Sequence, residues 1–174
     1  EATHMTKLRK LTALLLAGAL TLLLLTACSG GGGSSGPEAQ AEVEAKVMQA
    51  INNDRANDRA APLSNDPDMQ RIAKKKLTNK LANTNLDADL NGSIGRYKFY
   101  HDVKYDKETS TLTLIAQYDY QNTKLEDLIG CITQNNEASK LKFDHSSNWT
   151  KVGVAAETYR GKTYIAITLQ VKKT

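Results

Sequence analysis

Residues 97–118 read YKFYHDVKYDKETSTLTLIAQY, and their pattern is the clearest indication of the fold class. Two runs of alternating side chains flank a polar segment at residues 106–110; the alternating positions are Tyr97, Phe99, His101, Val103 and Tyr105, then Leu112, Leu114, Ala116 and Tyr118. A period of two is typical of β-strands, and aromatic and β-branched residues suit a pleated surface. The stretch therefore predicts a β-hairpin whose turn is the polar segment.

The patterns on either side add three helices and a second hairpin. Apolar residues at helical spacing predict helices over residues 38–58, over 67–83 after an Asp66-Pro67 cap, and after a capping box that starts at Thr123. Residues 152–158 and 163–171 flank a turn containing Gly161. The order helix, helix, hairpin, helix, hairpin predicts an α+β fold with a mostly antiparallel sheet covered by helices.

The segment before the folded part has the features of a secretion signal. Three basic residues follow Met5, and an unbroken apolar run over residues 11–27 leads to Cys28. The end of this run, Leu25-Thr26-Ala27-Cys28, resembles the lipobox of bacterial lipoproteins, which implies cleavage before Cys28 and lipidation of its thiol. The alternative is a single-pass anchor, which the length of the run disfavours because it falls slightly short of a ~30 Å hydrocarbon core.

These features predict three segments. Residues 1–28 contain four residues outside any signal pattern followed by the signal that ends at Cys28. Residues 29–37 are Gly/Ser-rich and are expected to act as a flexible tether. Residues 38–174 are expected to form one domain, on the extracytoplasmic face of a bacterial membrane.

Composition excludes several classes of protein. The chain is 40% hydrophobic and 24% charged with two cysteines, which excludes collagen-like, disordered and disulfide-rich proteins. Its net charge is +4, but three of the basic residues and one acidic residue precede Cys28, which leaves only +2 beyond it. We therefore expect no nucleic-acid partner. Lipidation of Cys28 would leave Cys131 without a disulfide partner, and its place at the edge of a helical apolar stripe favours a buried structural thiol.

Five short segments, in order, resemble the CAP superfamily, also called the SCP or cysteine-rich secretory and pathogenesis-related group. They are Ile51-Asn52-Asn53-Asp54-Arg55, Pro62-Leu63, Asp66-Pro67-Asp68-Met69, Ile115-Ala116 and Trp149-Thr150-Lys151-Val152-Gly153-Val154. The resemblance implies a three-layer α/β/α sandwich with a cleft. In many members of the family, two histidines and two acidic residues in that cleft can hold a divalent metal.

This chain departs from the family at the ligand positions. Thr113 stands where the glutamate of a Gly-Glu-Asn segment is usual, and a hydroxyl with a methyl group is no anionic ligand. Residues 134–137 read QNNE in place of a Gly-His pair, and the loop after the second helix has Asp87 and Asp89 but no histidine. We therefore expect no metal, no cofactor and no metal-dependent catalysis.

His101 and His145 are the only histidines after Cys28, and they are weak candidates for a cleft together with Thr113. Metal binding or general-base chemistry needs imidazoles close to a carboxylate, which the sequence does not establish. His101 shares the alternating phase of its strand, which favours a packed or half-buried position. His145 lies in a predicted loop and is expected to face solvent.

A weak candidate calcium loop begins at Asp87. Asp87, Asp89 and Asn91 place oxygen donors at alternate positions, and Gly92 allows a sharp turn. The twelfth position is Lys98 rather than a bidentate glutamate, so an ordinary turn stabilised by Asp or Asn side chains is favoured.

The sequence thus predicts a lipid-anchored, non-catalytic binding or structural module of the cell envelope. Its partner is expected to be a cell-wall polymer, another envelope protein or a host surface, with the tyrosines and Trp149 as the first side chains to examine. The run Lys74–Lys76 is interpreted as a solvated face that is also suited to anionic headgroups. Two alternatives stay open: a diverged metal-dependent hydrolase using His101 and His145, and a carrier of lipid or sterol. The oligomeric state is not predicted.

Overall fold

The computed structural model describes residues 39–83, 92–94, 97–119, 121–133 and 142–173, all within a compact unit that spans Pro37–Thr174. The side chains of residues 92–94, 97–99 and 131 are outside that description. Several predictions lie outside the described residues: the signal, Cys28 and the tether, the aspartates and asparagine of the calcium loop (Asp87, Asp89, Asn91), the segment 134–137, and the thiol of Cys131. They stay predictions.

The described residues form three α-helices, a 3-10 helical turn (Ser146–Asn148) and one five-stranded sheet. The helices are α1 (Gln40–Asn57), α2 (Pro67–Asn83) and α3 (Leu125–Thr133). The strands are β1 (Gly92–Ile94), β2 (Tyr97–Tyr105), β3 (Thr109–Tyr118), β4 (Trp149–Tyr159) and β5 (Lys162–Lys172). The spatial order is β1-β2-β3-β5-β4, and every neighbouring pair is antiparallel. The α+β class and both hairpins are confirmed, whereas β1 had not been predicted.

The sheet separates two layers of helices. Leu112, Leu114 and Ala116 on one face of β3 belong to a core cluster that includes the buried residues of α1 and α3. Ile115 on the other face belongs to a second cluster with Ala73, Leu77 and Leu81 of α2. Because successive side chains of a strand point to opposite faces, α1 and α3 cover one face and α2 covers the other. The architecture is therefore an α/β/α sandwich.

Helix α2 begins as its sequence predicts. The Asp66 carboxylate accepts hydrogen bonds from the backbone N–H groups of Asp68 and Met69, both at 3.0 Å, and Pro67 occupies the first helical position. This is the N-cap geometry in which a side-chain oxygen satisfies two free helix donors. The stripe at helical spacing from Met69 to Leu81 is buried as expected.

Helix α3 starts one residue later than the predicted capping box requires. Its first helical bond runs from the Leu128 N–H to the carbonyl of Lys124, so Lys124 occupies the cap position. The Thr123 hydroxyl instead accepts a hydrogen bond from the Asp119 N–H at 2.9 Å. The Asp119 carboxylate accepts bonds from the Asn122 side chain and the Gln121 N–H, and these bonds lower the pKa of Asp119.

Side chains from α1 and from the segment before α2 cover the outer edge of β4. The Asn65 amide bonds both backbone groups of Val154, donating to its carbonyl at 3.1 Å and accepting from its N–H at 2.8 Å. The Glu44 carboxylate accepts from the Ala156 N–H at 3.0 Å, and the Asp66 N–H donates to the Val152 carbonyl at 2.8 Å. An edge strand whose backbone groups are satisfied in this way is a poor template for pairing with another chain.

Candidate functional site

The structure places His101 on the sheet rather than in a pocket with other predicted site residues. His101 lies opposite Leu114 in the β2–β3 ladder, and residues directly opposite each other share a face. Its side chain therefore lies on the α1/α3 side of the sheet. It is exposed, so the expectation of a packed or half-buried histidine is wrong. The strand is near the edge of the sheet, and among the described strands β1 alone lies beyond it.

Thr113 lies on the opposite face of the sheet from His101. Its side chain is 0% exposed, and its hydroxyl is 3.0 Å from the hydroxyl of Thr168 on β5. Each hydroxyl therefore has a partner within the sheet. Since His101 faces the α1/α3 layer and Thr113 faces the α2 layer, the two residues do not line one cleft.

His145 lies in the segment before β4 and is solvent-facing, as predicted, with its side chain 66% exposed. Its Nε2 atom is 3.7 Å from the carboxylate of the adjacent Asp144. Strands β2 and β4 are three strand spacings apart, which is about 14 Å, so the backbones that position His101 and His145 are well separated. Within the described ranges, no three His, Cys, Asp or Glu side chains are grouped so that they could hold a metal ion.

Some of the segments on which the family resemblance rests meet where α1 ends, through the side chains of Asn52 and Arg55. The Asn52 side chain bonds the N–H and the carbonyl of Leu63, at 2.9 and 2.8 Å. Arg55 is 5% exposed, and its guanidinium donates to the carbonyls of Ala61, Ser146 and Trp149. These bonds tie the end of α1 to the following loop and to the start of β4.

Arg55 is a buried cation held by carbonyl oxygens. Its bonds to Ala61 and Trp149 measure 2.8 and 3.1 Å. Desolvation by burial lowers the pKa of the guanidinium from its usual value. Carbonyl dipoles from three segments compensate part of that desolvation, because hydrogen bonds to a charged donor are stronger than those between neutral groups. Arg55 is therefore a structural residue, and its guanidinium is not available to bind a ligand while it donates to these carbonyls.

The described aromatic residues contribute little to an exposed surface. Trp149 is 2% exposed and donates its indole N–H to the Phe143 carbonyl at 3.1 Å, so it is a core residue rather than a binding residue. Tyr118 and Tyr164 are buried as well. Tyr105 is 60% exposed, but the ammonium of Lys173 lies 5.5 Å from its ring centre. An aromatic binding face is not found among these residues.

A groove of about 280 Å³ lies between α2 and β2. Two lysines, two asparagines, a tyrosine and an aspartate line it: Lys76, Lys80, Asn79, Asn83, Tyr100 and Asp102. Lys76 forms an ion pair with Asp102, and the ammonium of Lys80 lies 4.0 Å from the ring centre of Tyr100. A cation over an aromatic face is favourable by about 0.5–1 kcal/mol at exposed sites. The groove therefore presents cations, amides and one carboxylate along the side of α2.

The two helix layers have opposite net charge. Helix α2 has five Lys or Arg residues and one Asp, a net charge of +4. Helix α1 has two basic and three acidic residues, and α3 has two acidic residues and no basic one, which gives −3 for that layer. This polarity was not predicted, because it depends on which helices share a face of the sheet. The run Lys74–Lys76 alone had been interpreted as a solvated face.

Comparison with protein-family profiles, with curated proteins and with solved structures finds no match to this chain. The resemblance to the CAP superfamily therefore stays a prediction based on the segments quoted above. None of the described helices is both long enough and apolar enough to cross a membrane.

Proposed function

We propose that this chain is a non-catalytic binding module, tethered by lipid on Cys28 to the extracytoplasmic face of a bacterial membrane. The binding surface is the basic layer, defined as α2 together with the groove beside it. The single observation behind this proposal is the +4 charge of α2 on one side of the sheet and the −3 charge of α1 and α3 on the other. The partner is an anionic component of the envelope.

Charge of one sign on one face favours a partner of the opposite sign. A one-sided distribution raises the local concentration of an oppositely charged partner and orients it before contact. The exposed cations Lys74 and Lys75 point away from the buried stripe of α2, so they are presented to the partner rather than to the core. The acidic layer repels the same partner, which makes binding dependent on orientation.

The groove supplies shorter-range contacts within the same layer. The Asn79 amide offers donors and an acceptor, and the Asn83 amide donates to the Asn79 backbone carbonyl at 3.0 Å and keeps its oxygen as an acceptor. Lys76 and Lys80 supply charge-assisted donors. An anionic group can compete with Asp102 for Lys76, because that aspartate side chain is 44% exposed and the pair is only partly desolvated. The groove thus offers an anionic segment charged and amide donors beside the Lys76–Asp102 pair.

Retention by isolated envelope fractions tests the proposal. Fragment 37–174 lacks the signal and Cys28, and it includes every residue of both core clusters, so it keeps the whole core. We expect saturable retention that weakens as salt is raised, because exposed charges are screened within about 8 Å at physiological ionic strength. Retention that is absent at low salt would refute the proposal.

Thermal unfolding with added metal tests the hydrolase alternative. If a diverged site at His101 or His145 held zinc or calcium, the metal at 100 times its dissociation constant would stabilise the fold by about 2.7 kcal/mol. We expect no upward shift of the midpoint for fragment 37–174. A saturable shift that is lost in a His101→Ala or His145→Ala variant would favour the hydrolase instead.

A further inference from the structure

We propose that the basic layer rests on the anionic surface of the membrane that anchors the chain. In this arrangement α2 lies toward the lipid headgroups, and α1 and α3 face away from the membrane. The inference rests on the proposed function and makes it specific, because it names the anionic partner as a bilayer that contains anionic phospholipid.

The cations on the solvent-exposed face of α2 are accessible to lipid headgroups. Lys74 and Lys75 are exposed, and neither side chain has a hydrogen bond or ion pair to another residue in the described part of the chain. Arg71 is also exposed, and its pair with Asp68 leaves its side chain 76% accessible. A cluster of four to eight basic residues on a helix is typical of segments that bind anionic lipid.

Lysines of the sheet extend the patch beyond the N-terminal end of α2. Lys104 alternates along β2 with Asp102 and Tyr100, so all three share the face that α2 covers. Lys151 lies on the same face of β4, two residues before Gly153, which packs against the start of α2. Both lysines are exposed. The basic surface therefore continues from the helix onto the adjoining part of the sheet.

The tether joins the domain at the start of α1. This point lies at the same end of the sheet as the C-terminal end of α2. In the first half of α1, Glu44 bonds the backbone of Ala156, and in the second half of α2, Thr78 bonds the carboxylate of Glu157 at 2.7 Å. Arg55 near the end of α1 bonds the Trp149 carbonyl, and Met69 at the start of α2 lies against Gly153, so α1 and α2 run in opposite directions along β4. The start of α1 and the end of α2 therefore lie toward the same end of β4. The anchor would hold this end of the basic layer near the bilayer.

The tether is short enough to keep the domain near the membrane surface. It is also long enough for either helix layer to face the membrane, so electrostatic attraction determines which layer does. Ten residues lie between Cys28 and Ala39, and the eleven Cα–Cα steps across them span at most about 40 Å when fully extended. A domain of this size has a radius of gyration of about 14 Å, so this reach allows the domain to turn over. The acidic layer is then repelled by an anionic surface and the basic layer is attracted to it.

Binding of fragment 37–174 to lipid vesicles tests the inference. One vesicle is about one-third phosphatidylglycerol in phosphatidylcholine, and the other is phosphatidylcholine alone. We expect the fragment to bind the first and not the second. The variant Lys74→Gln/Lys75→Gln should bind the anionic vesicle about 30-fold more weakly, from the usual contribution of two lysines at such a surface.

A matched control removes the same charge from the other layer. Lys46 lies on α1 and Lys124 directly precedes α3, so Lys46→Gln/Lys124→Gln also removes two positive charges. We expect this variant to bind within about threefold of the unmodified fragment, because its charges face away from the lipid. Equal losses in the two variants would overturn the proposed orientation.

The outcome also separates this inference from the proposed function. If envelope fractions retain the fragment while anionic vesicles do not, the binding function stands with a wall polymer or a protein as partner, and the membrane inference is overturned. Footprinting the lipid-anchored protein on anionic vesicles with an amine-reactive reagent gives a second readout. Lys74 and Lys75 should be labelled more slowly than Lys46, and equal labelling rates would contradict the inference.

Discussion

At the scale of single residues, Thr113 illustrates how a position that resembles a ligand site is used for structure. Its hydroxyl and that of Thr168 are 3.0 Å apart inside the sheet, and both side chains are 0% exposed. Thr113→Val should destabilise the fold by about 1–3 kcal/mol, because Thr168 would lose the only hydroxyl partner it has among the described residues. Urea unfolding measures this change.

The double variant Thr113→Val/Thr168→Val distinguishes this explanation from a simple loss of packing. Removing both hydroxyls leaves neither unsatisfied, so the stability should return to within about 1 kcal/mol of the unmodified protein. Additive losses in the double variant would show that the hydrogen-bonded pair is not the cause.

Arg55 is the second residue for which a specific result is expected. Arg55→Lys should lower the free energy of unfolding by about 2–3 kcal/mol, because one ammonium cannot reproduce the planar set of bonds to three carbonyls. The exposed Arg59 provides the control, and Arg59→Lys should change stability by less than about 0.5 kcal/mol. Similar midpoints for the two variants in urea would contradict the structural role of Arg55.

At the scale of elements, we expect substitution by alanine to have opposite effects on stability at two glycines. A Cβ at Gly153 would lie 2.1 Å from backbone atoms of Met69 and Gln70, so α2 would have to move away from β4. Gly153→Ala should therefore destabilise by about 3 kcal/mol. A Cβ at Gly130 in α3 meets no atom of the described residues within 4 Å, so Gly130→Ala should stabilise by about 0.5–1 kcal/mol through helix propensity. Thermal unfolding that ranks the two variants in the reverse order would contradict the described packing of α2 on β4.

The elements themselves were largely predictable because each has a strong local signal. The cap at Asp66, the stripe from Met69 to Leu81 and the turn at Gly161, whose φ is +77°, are all confirmed. The start of α3 was misplaced because the Thr123 hydroxyl bonds backward to Asp119, a contact set by the conformation of the preceding turn. The short β1 lacks a long alternating pattern, and its three residues pair with β2.

The surface was less predictable than the elements. Lysines at positions 74–76 and acidic residues in α1 and α3 are visible in the sequence, but only the topology shows that they lie on opposite sides of one sheet. The exposure of His101 likewise depends on how far α1 and α3 extend over β2. The alternating pattern predicts which face of the sheet a side chain lies on, but not whether a helix covers that face at that position.

At the scale of the whole molecule, the described part of residues 37–174 is a sandwich whose two helix layers have opposite net charge. The core clusters on the two faces fix which helix lies on which side, and the edge of β4 is closed by Asn65 and Glu44. Binding by one face then requires no pocket of catalytic groups. It requires only that the sheet hold α2 away from the acidic helices.

The most direct test compares retention of three forms of fragment 37–174 by isolated envelope fractions at low salt: the unmodified fragment, Lys74→Gln/Lys75→Gln and Lys46→Gln/Lys124→Gln. We expect the first and third forms to be retained alike and the second to be retained markedly less, because only its substitutions lie in the basic layer. Equal retention of all three forms, or equal loss from the two variants, would contradict binding through α2.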